Sequence, residues 1–136
     1  MNSFPLKIVT PDGLQYDGPA EQLTVRTTSG DMGILAGHIN TVAPLGMGPA
    51  SVVIGDQRRV GACIGGMLSV VNGNVTVVCT TFEWADKIDV DRAIASEKRA
   101  QAILTNKSST DADVRLAEAR LKRALIRKSV AGTKLY

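Results

Sequence analysis

The spacing of apolar residues along this 136-residue chain changes once, just after Trp84. Before that point they tend to recur at every second position, the repeat of a strand with one buried face. After it they recur about every 3.6 residues, the repeat of an amphipathic helix. One segment cannot satisfy both periods, so the chain has to fold as a β part followed by a helical part.

Short runs rich in Val, Ile, Leu and Thr fill the first part and are separated by turn residues at close intervals. Leu6, Ile8 and Thr10 alternate up to Pro11-Asp12-Gly13, and Leu23, Val25 and Thr27 alternate before a glycine-punctuated stretch, Gly30 to Gly37, expected to be a loop. Val52 to Ile54 leads through a Gly55-Asp56 turn into Arg59 to Ile64. The sharpest local signal is Asn72-Gly73 between Met67 to Val71 and Val75 to Cys79, because Asn-Gly supplies the two positive φ angles of a type I′ hairpin turn. Regularly spaced strands with no helices between them favour a sandwich or barrel over a parallel α/β sheet.

The second part predicts two helices. Asp89 suits an N-cap, helix formers continue through Leu104, and Asn106 suits a left-handed residue after the helix end, with Lys107 to Ser109 as linker. Thr110 and Asp113 have capping-box spacing, and Val114, Ala117, Leu121 and Ala124 form the apolar stripe of the second helix. So short a connection makes the pair an antiparallel hairpin. Its seam uses Ala93, Ala100, Ala117 and Ala124 where a durable bundle has Leu. At ~0.8 kcal/mol per buried CH₂, that choice forfeits several kcal/mol and predicts a marginal, mobile element. The expected division is a β domain at residues 1–86 and a helical domain at 87–136.

Charge follows the same division. Up to Asp86 four bases face seven acids, a net −3; from Lys87 onward twelve bases face six acids, a net +6. The basic end is expected to seek an acidic partner. The start of the chain lacks the pattern of a signal or transit peptide, which points to a cytoplasmic face. The longest apolar stretch, Ala62 to Val71, is interrupted by Gly65, Gly66 and Ser69, so membrane association is expected to be peripheral. Cys63 and Cys79 lie in strand-like runs and read as small buried hydrophobes; with a single histidine, no cluster has metal-ligand spacing.

No catalytic constellation is present: there is no nucleophile elbow, no phosphate loop ending in Gly-Lys-Ser/Thr, and no His-Glu metal motif. Glu83 and Asp86 read as a solvated edge. Arg92 and Arg99 are seven apart on the first helix, and Arg120, Arg123 and Arg127 follow a three-then-four spacing on the second, so each set forms one stripe. By themselves the stripes are a solvated face. If the hairpin closes with them adjacent, they converge at a cost that an anion would relieve.

Three stretches together resemble the epsilon subunit of bacterial rotary ATP synthases. They are Gly30-Asp31-Met32-Gly33-Ile34-Leu35-Ala36-Gly37-His38, the hairpin from Gly65-Gly66-Met67-Leu68 to Asn74-Val75-Thr76-Val77, and Ile88-Asp89-Val90-Asp91-Arg92-Ala93 with Leu121-Lys122-Arg123-Ala124 and Arg127. The chain departs from the family pattern at Asp31, Ala36, Met67 and Ser69, where the family favours glutamate, proline, an aromatic and an acidic residue. The resemblance implies an all-β sandwich followed by a two-helix hairpin. It also implies a non-catalytic rotor subunit of the proton-translocating synthase, peripheral on the cytoplasmic side of the cell membrane, with gamma and the c-ring as partners. In this family the hairpin is a latch: folded it permits turnover, and extended into the alpha/beta catalytic hexamer it inhibits ATP hydrolysis. No cofactor is implied beyond ATP as a regulatory ligand, carried over to Glu83, Ile88, Asp89, Arg92, Ala93, Arg99, Arg123 and Arg127. The c-ring and gamma contact carries over to Gly30, Asp31, Met32 and His38. A coupling subunit without nucleotide sensing is the rival reading. A nucleic-acid module is disfavoured because no aromatic interleaves with the basic stripes.

Overall fold

The computed structural model describes residues 2–132. Seven strands come first: β1 (Phe4–Thr10), β2 (Gly13–Ala20), β3 (Gln22–Thr27), β4 (Gly30–Leu35), β5 (Thr41–Ile54), β6 (Gln57–Val71) and β7 (Asn74–Trp84). A 3₁₀ turn, Ala85–Lys87, leads to helices α1 (Val90–Thr105) and α2 (Asp111–Ala131). The strands form one sheet in the order β2-β1-β7-β6-β5-β3-β4, antiparallel except for the parallel pair β1 and β7. Leu6 and Ile8 of β1 share one core with Leu23 and Val25 of β3, although three strands separate them in the sheet. The sheet is therefore doubled over on itself as a sandwich, with β5 and β6 long enough to belong to both layers.

The turns explain why the chain reverses where it does. Asn72 and Gly73 have φ of 49° and 83°, the geometry expected of Asn-Gly. Two other hairpins share one device. Thr10 and Thr27, the buried polar residues, each donate their hydroxyl to a glycine carbonyl three residues on, Gly13 and Gly30, and each accept a backbone N–H two residues on, from Asp12 and Ser29. The hydroxyls thereby satisfy backbone groups that the turn removes from the ladder.

Two expectations are corrected. Residues 30–35 are not a loop but edge strand β4, paired along its length with β3. Its glycines hide the alternation that leaves Ile34 fully buried. Asn106 is not left-handed but extended, with φ −82° and ψ 117°. The end of α1 is instead closed at the carbonyl of Ile103, which accepts the Asn106 N–H and, at 2.8 Å, the Ser109 hydroxyl. The other caps form as the sequence indicates: the Asp89 carboxylate accepts the Arg92 N–H at 3.0 Å, and Thr110 and Asp113 make a reciprocal capping box.

Strict alternation fails in β6, where residues 60–64 are buried on both faces. Cys63 belongs to the sandwich core, whereas Val60 and Ala62 join a second cluster with Ala85, Ile88 and Val130, closed by Ile126 and Ala131. The last turns of α2 thus lie on the outer face of the sheet. The four seam alanines are each at most 4% exposed, which brings α1 and α2 close together, and Lys128 near the end of α2 meets Glu97 of α1 at 2.7 Å. The pair is antiparallel, as the short connection requires.

A Cβ at Gly66, where φ is 132°, would drive into the Val78 carbonyl, whereas one at Gly73 would meet nothing within 4 Å. Gly66→Ala is expected to lower the unfolding free energy by roughly 3 kcal/mol or more, and Gly73→Ala by only about 1 kcal/mol, measured as the shift in urea midpoint.

Candidate functional site

β7 ends in Phe82-Glu83-Trp84, and these three residues connect the sandwich to the hairpin. Trp84 is locked from several sides: its Nε1–H donates to the Gln15 carbonyl at 3.0 Å, the Phe82 ring meets it edge-on at 4.9 Å, and the Arg59 guanidinium lies 3.9 Å above it. Glu83 consequently projects from a rigid platform toward the helices. Its carboxylate accepts the Arg127 Nε–H at 2.8 Å across 44 residues of sequence. Glu83 is therefore not a solvated edge residue: tertiary packing of α2 supplies a base that sequence proximity does not show.

Between this platform and the hairpin is a cavity of about 550 Å³, within the usual range for small-molecule sites. Glu83, Asp89, Arg92, Ala93, Arg99 and Arg127 line it. An adjoining cavity of about 430 Å³ is lined by Arg120 and Arg123 together with Arg99 and Arg127, which border both spaces. The two arginine stripes thus converge on one cleft. Among the described residues Arg92, Arg99, Arg120 and Arg123 make no ion pair, so Arg127 alone of the five is neutralised by a carboxylate. Planar guanidiniums held in this way bind phosphate oxygens bidentately, and their mutual repulsion favours a polyanion.

Seven of the eight nucleotide-contact residues carried over from the resemblance border this cleft. The exception is Ile88, which is 8% exposed and packs with Val60, Ala62 and Val130 beneath the helices. Asp89 has a second task as the cap of α1. Asp12, Thr81 and Ser96 also line the cleft and escaped the sequence reading. Asp12 comes from the β1–β2 turn, and no local pattern connects that turn to a helix some eighty residues later.

Residues 3–85 match the family described as ATP synthase, Delta/Epsilon chain, beta-sandwich domain, and residues 86–132 match its long alpha-helix domain. The chain belongs to the ATP synthase delta/epsilon family. It is 46% identical over 132 residues to the ATP synthase epsilon chain of Bacillus velezensis, covering 97% of this chain and 99% of that one. The epsilon chain of Bacillus subtilis gives the same identity and the same coverage. A chain of the Euglena gracilis mitochondrial ATP synthase, solved as OSCP/F1/c-ring, superposes with a TM-score of 0.81 at 25% identity, covering 93% of this chain and 80% of that one. A chain of the Tetrahymena thermophila mitochondrial ATP synthase central stalk/c-ring shares the fold, with a TM-score of 0.59 at 14% identity over 93% of this chain and 95% of that one. A delta/epsilon family member is an accessory subunit of the synthase, not one of its catalytic subunits.

In this epsilon-type chain the glycine-rich signature occupies the sheet edge, away from the arginines. Gly30 and Asp31 are exposed on β4, with Asp31 accepting from Arg26 at 3.1 Å; Met32 packs partly against the core, and His38 is half-buried in the turn beyond. Near them Leu35, Ile39 and Val42 are 57%, 78% and 67% exposed. Asn40 accepts the Asn72 N–H at 2.8 Å, which ties this turn to the β6–β7 hairpin tip, where Val71 is also exposed. No repeat in the sequence marks this apolar end, because Leu35, Ile39, Val42 and Val71 come from separate elements and meet only in the fold. Among the described residues no helix is long and apolar enough to cross a membrane.

The Glu83–Arg127 pair is partly exposed, its side chains retaining 38% and 26% of their accessible surface, so screening limits its strength. Glu83→Gln is expected to weaken docking of the hairpin by about 0.5–1 kcal/mol, and hydrogen exchange at α2 amides should rise roughly two- to fivefold. Amides of β1 and β7 serve as the unaffected reference.

Proposed function

We propose that this chain is a central-stalk subunit that links gamma to the c-ring, and that its helical hairpin adjusts ATP hydrolysis in response to ATP. The observation that carries the regulatory reading is the convergence of five arginines from two helices on one cleft whose opposite wall belongs to the sandwich. A polyphosphate in that cleft touches α1 and α2 at once, and so favours the closed hairpin over any open form. Arg99, Arg123 and Arg127 are placed to hold phosphate oxygens. Asp12, Glu83 and Asp89 provide acceptors at the other end, and Ala93 and Phe82 supply an apolar wall. Ile88 acts indirectly, by seating the start of α1 on the sheet.

The closed state is held by a small apolar cluster and two cross-element ion pairs, so modest binding energy is enough to matter. A ligand at ten times its dissociation constant contributes about 1.4 kcal/mol. When ATP falls, α2 leaves the sheet, and Lys122, Arg123, Arg127 and Lys128 become available to acidic surface on the alpha/beta hexamer. The exposed apolar end around Leu35, Ile39 and Val42, beside Asp31, Met32 and His38, suits the gamma and c-ring contact. Membrane association then follows from the complex, peripherally and on the cytoplasmic side.

Calorimetric titration of the full chain with ATP tests the sensor. Binding is expected at sub-millimolar to millimolar nucleotide, and Arg92→Ala with Arg123→Ala should reduce affinity at least tenfold. Heat-free titration, or affinity indifferent to the double substitution, removes nucleotide sensing. In the assembled enzyme, deletion of residues 88–136 should raise ATP hydrolysis; unchanged hydrolysis supports a purely structural coupling subunit.

A further inference from the structure

Cys63 on β6 and Cys79 on β7 are both free thiols, 4% and 2% exposed, and their Sγ atoms lie 3.2 Å apart. Regular pairing does not produce this. Cys63 is opposite Phe82, and Cys79 is opposite Gly66, three residues along each strand. In an unbroken ladder an odd offset puts two side chains on opposite faces of the sheet. Gly65 and Gly66, with φ of 68° and 132°, interrupt the pleat, and β7 answers with two successive exposed residues, Thr80 and Thr81, between buried Cys79 and Phe82. This one-residue change of phase turns both sulfurs to the same interior side. Both cysteines lie in the sandwich core.

We propose that Cys63 and Cys79 are a redox pair that a hydroperoxide converts into a cross-strand disulfide. The Cys63 thiolate attacks one peroxide oxygen; an S–O bond forms, the O–O bond breaks, and the departing oxygen leaves as water after taking up a proton. Cys79 sulfur then attacks the sulfenic sulfur. The S–S bond forms, the S–O bond breaks, and the hydroxyl leaves with the Cys79 proton as a second water. Two thiols are oxidised and one hydrogen peroxide is reduced to two waters. The order of attack follows from the hydrogen bond between the thiols: it lowers the Cys63 pKa against the opposing effect of burial, whereas the same bond and burial raise that of Cys79. The sulfurs, 3.2 Å apart, need approach by only about 1 Å to reach bonding distance.

The test uses the full native chain treated with hydrogen peroxide, quenched, unfolded and alkylated. Both thiols are expected to disappear in parallel, with linked Cys63 and Cys79 peptides lighter by two hydrogens, the chain monomeric on a non-reducing gel, and both thiols restored by dithiothreitol. In Cys79→Ser the reaction should stop at a sulfenic acid on Cys63 that dimedone captures; if that variant does not fold, the wild-type thiol count and peptide map decide. The proposal is overturned if both native thiols survive peroxide that oxidises the urea-unfolded chain. It is equally overturned if the cysteines gain oxygen without linking, or if they link separate chains.

Discussion

The arrangement of the molecule depends on the last turns of α2 lying against the outer face of β6. Val130 and Ile126 cover Val60, Ala62, Ala85 and Ile88, a patch of small and medium side chains much smaller than the sandwich core. This contact makes residues 60–64 buried on both faces, holds the hairpin to the sheet, and brings Arg127 within reach of Glu83. Without it the arginine stripes, which the alanine seam brings together, would lack the wall that the sandwich gives their cleft. The cleft combines the helix seam with one modest apolar interface.

That interface works against an electrostatic cost. Closing the hairpin gathers Arg92, Arg99, Arg120, Arg123 and Arg127 around connected cavities, and among the described residues only Glu83 of the sandwich pairs with one of them. Like charges at a partly desolvated site repel more strongly than in bulk water. Small apolar burial and the repulsion among these bases act in opposite directions on the closed hairpin. The alanine seam contributes in the same direction. Ala93, Ala100, Ala117 and Ala124 permit close helix approach while burying little area, so the helices pack well without strong mutual attachment. The sandwich differs in kind: its core draws on every strand, and Trp84 is fixed by a hydrogen bond, an edge-on ring and a cation. The sandwich is thus fixed from more sides than the hairpin it carries.

Much of this was legible from residue order. Asn72-Gly73 favours positive φ wherever it lies, and Asp89, Thr110 and Asp113 cap their helices through atoms three residues away. Local chemistry of that range can be read directly. The turn at Pro11-Asp12-Gly13 is equally local and reads directly, but the hydroxyl bonds by which Thr10 and Thr27 brace their hairpins are visible only in the folded turn. β4 reads as a loop because glycine at positions 30 and 33 removes the side chains whose alternation signals a strand. Asn106 failed because the preference of asparagine for the left-handed region is weak, and the Ser109 hydroxyl offered the helix end another partner.

Residue order alone sets the division into a period-two part and a period-3.6 part, the helix caps, the Asn-Gly hairpin, the opposite charges of the two halves and the spacing of each arginine stripe. All of these rest on interactions between near neighbours or on composition. That the stripes face each other, that Glu83 answers Arg127, that Asp12 borders the same cleft, and that Ile88 supports the cleft from below are outcomes of packing. The same holds for the meeting of Cys63 with Cys79, which depends on a change of pleat that two glycines permit but do not dictate. Such outcomes turn on which face of one element is covered by another, and covering is a property of the packed chain, not of any segment within it.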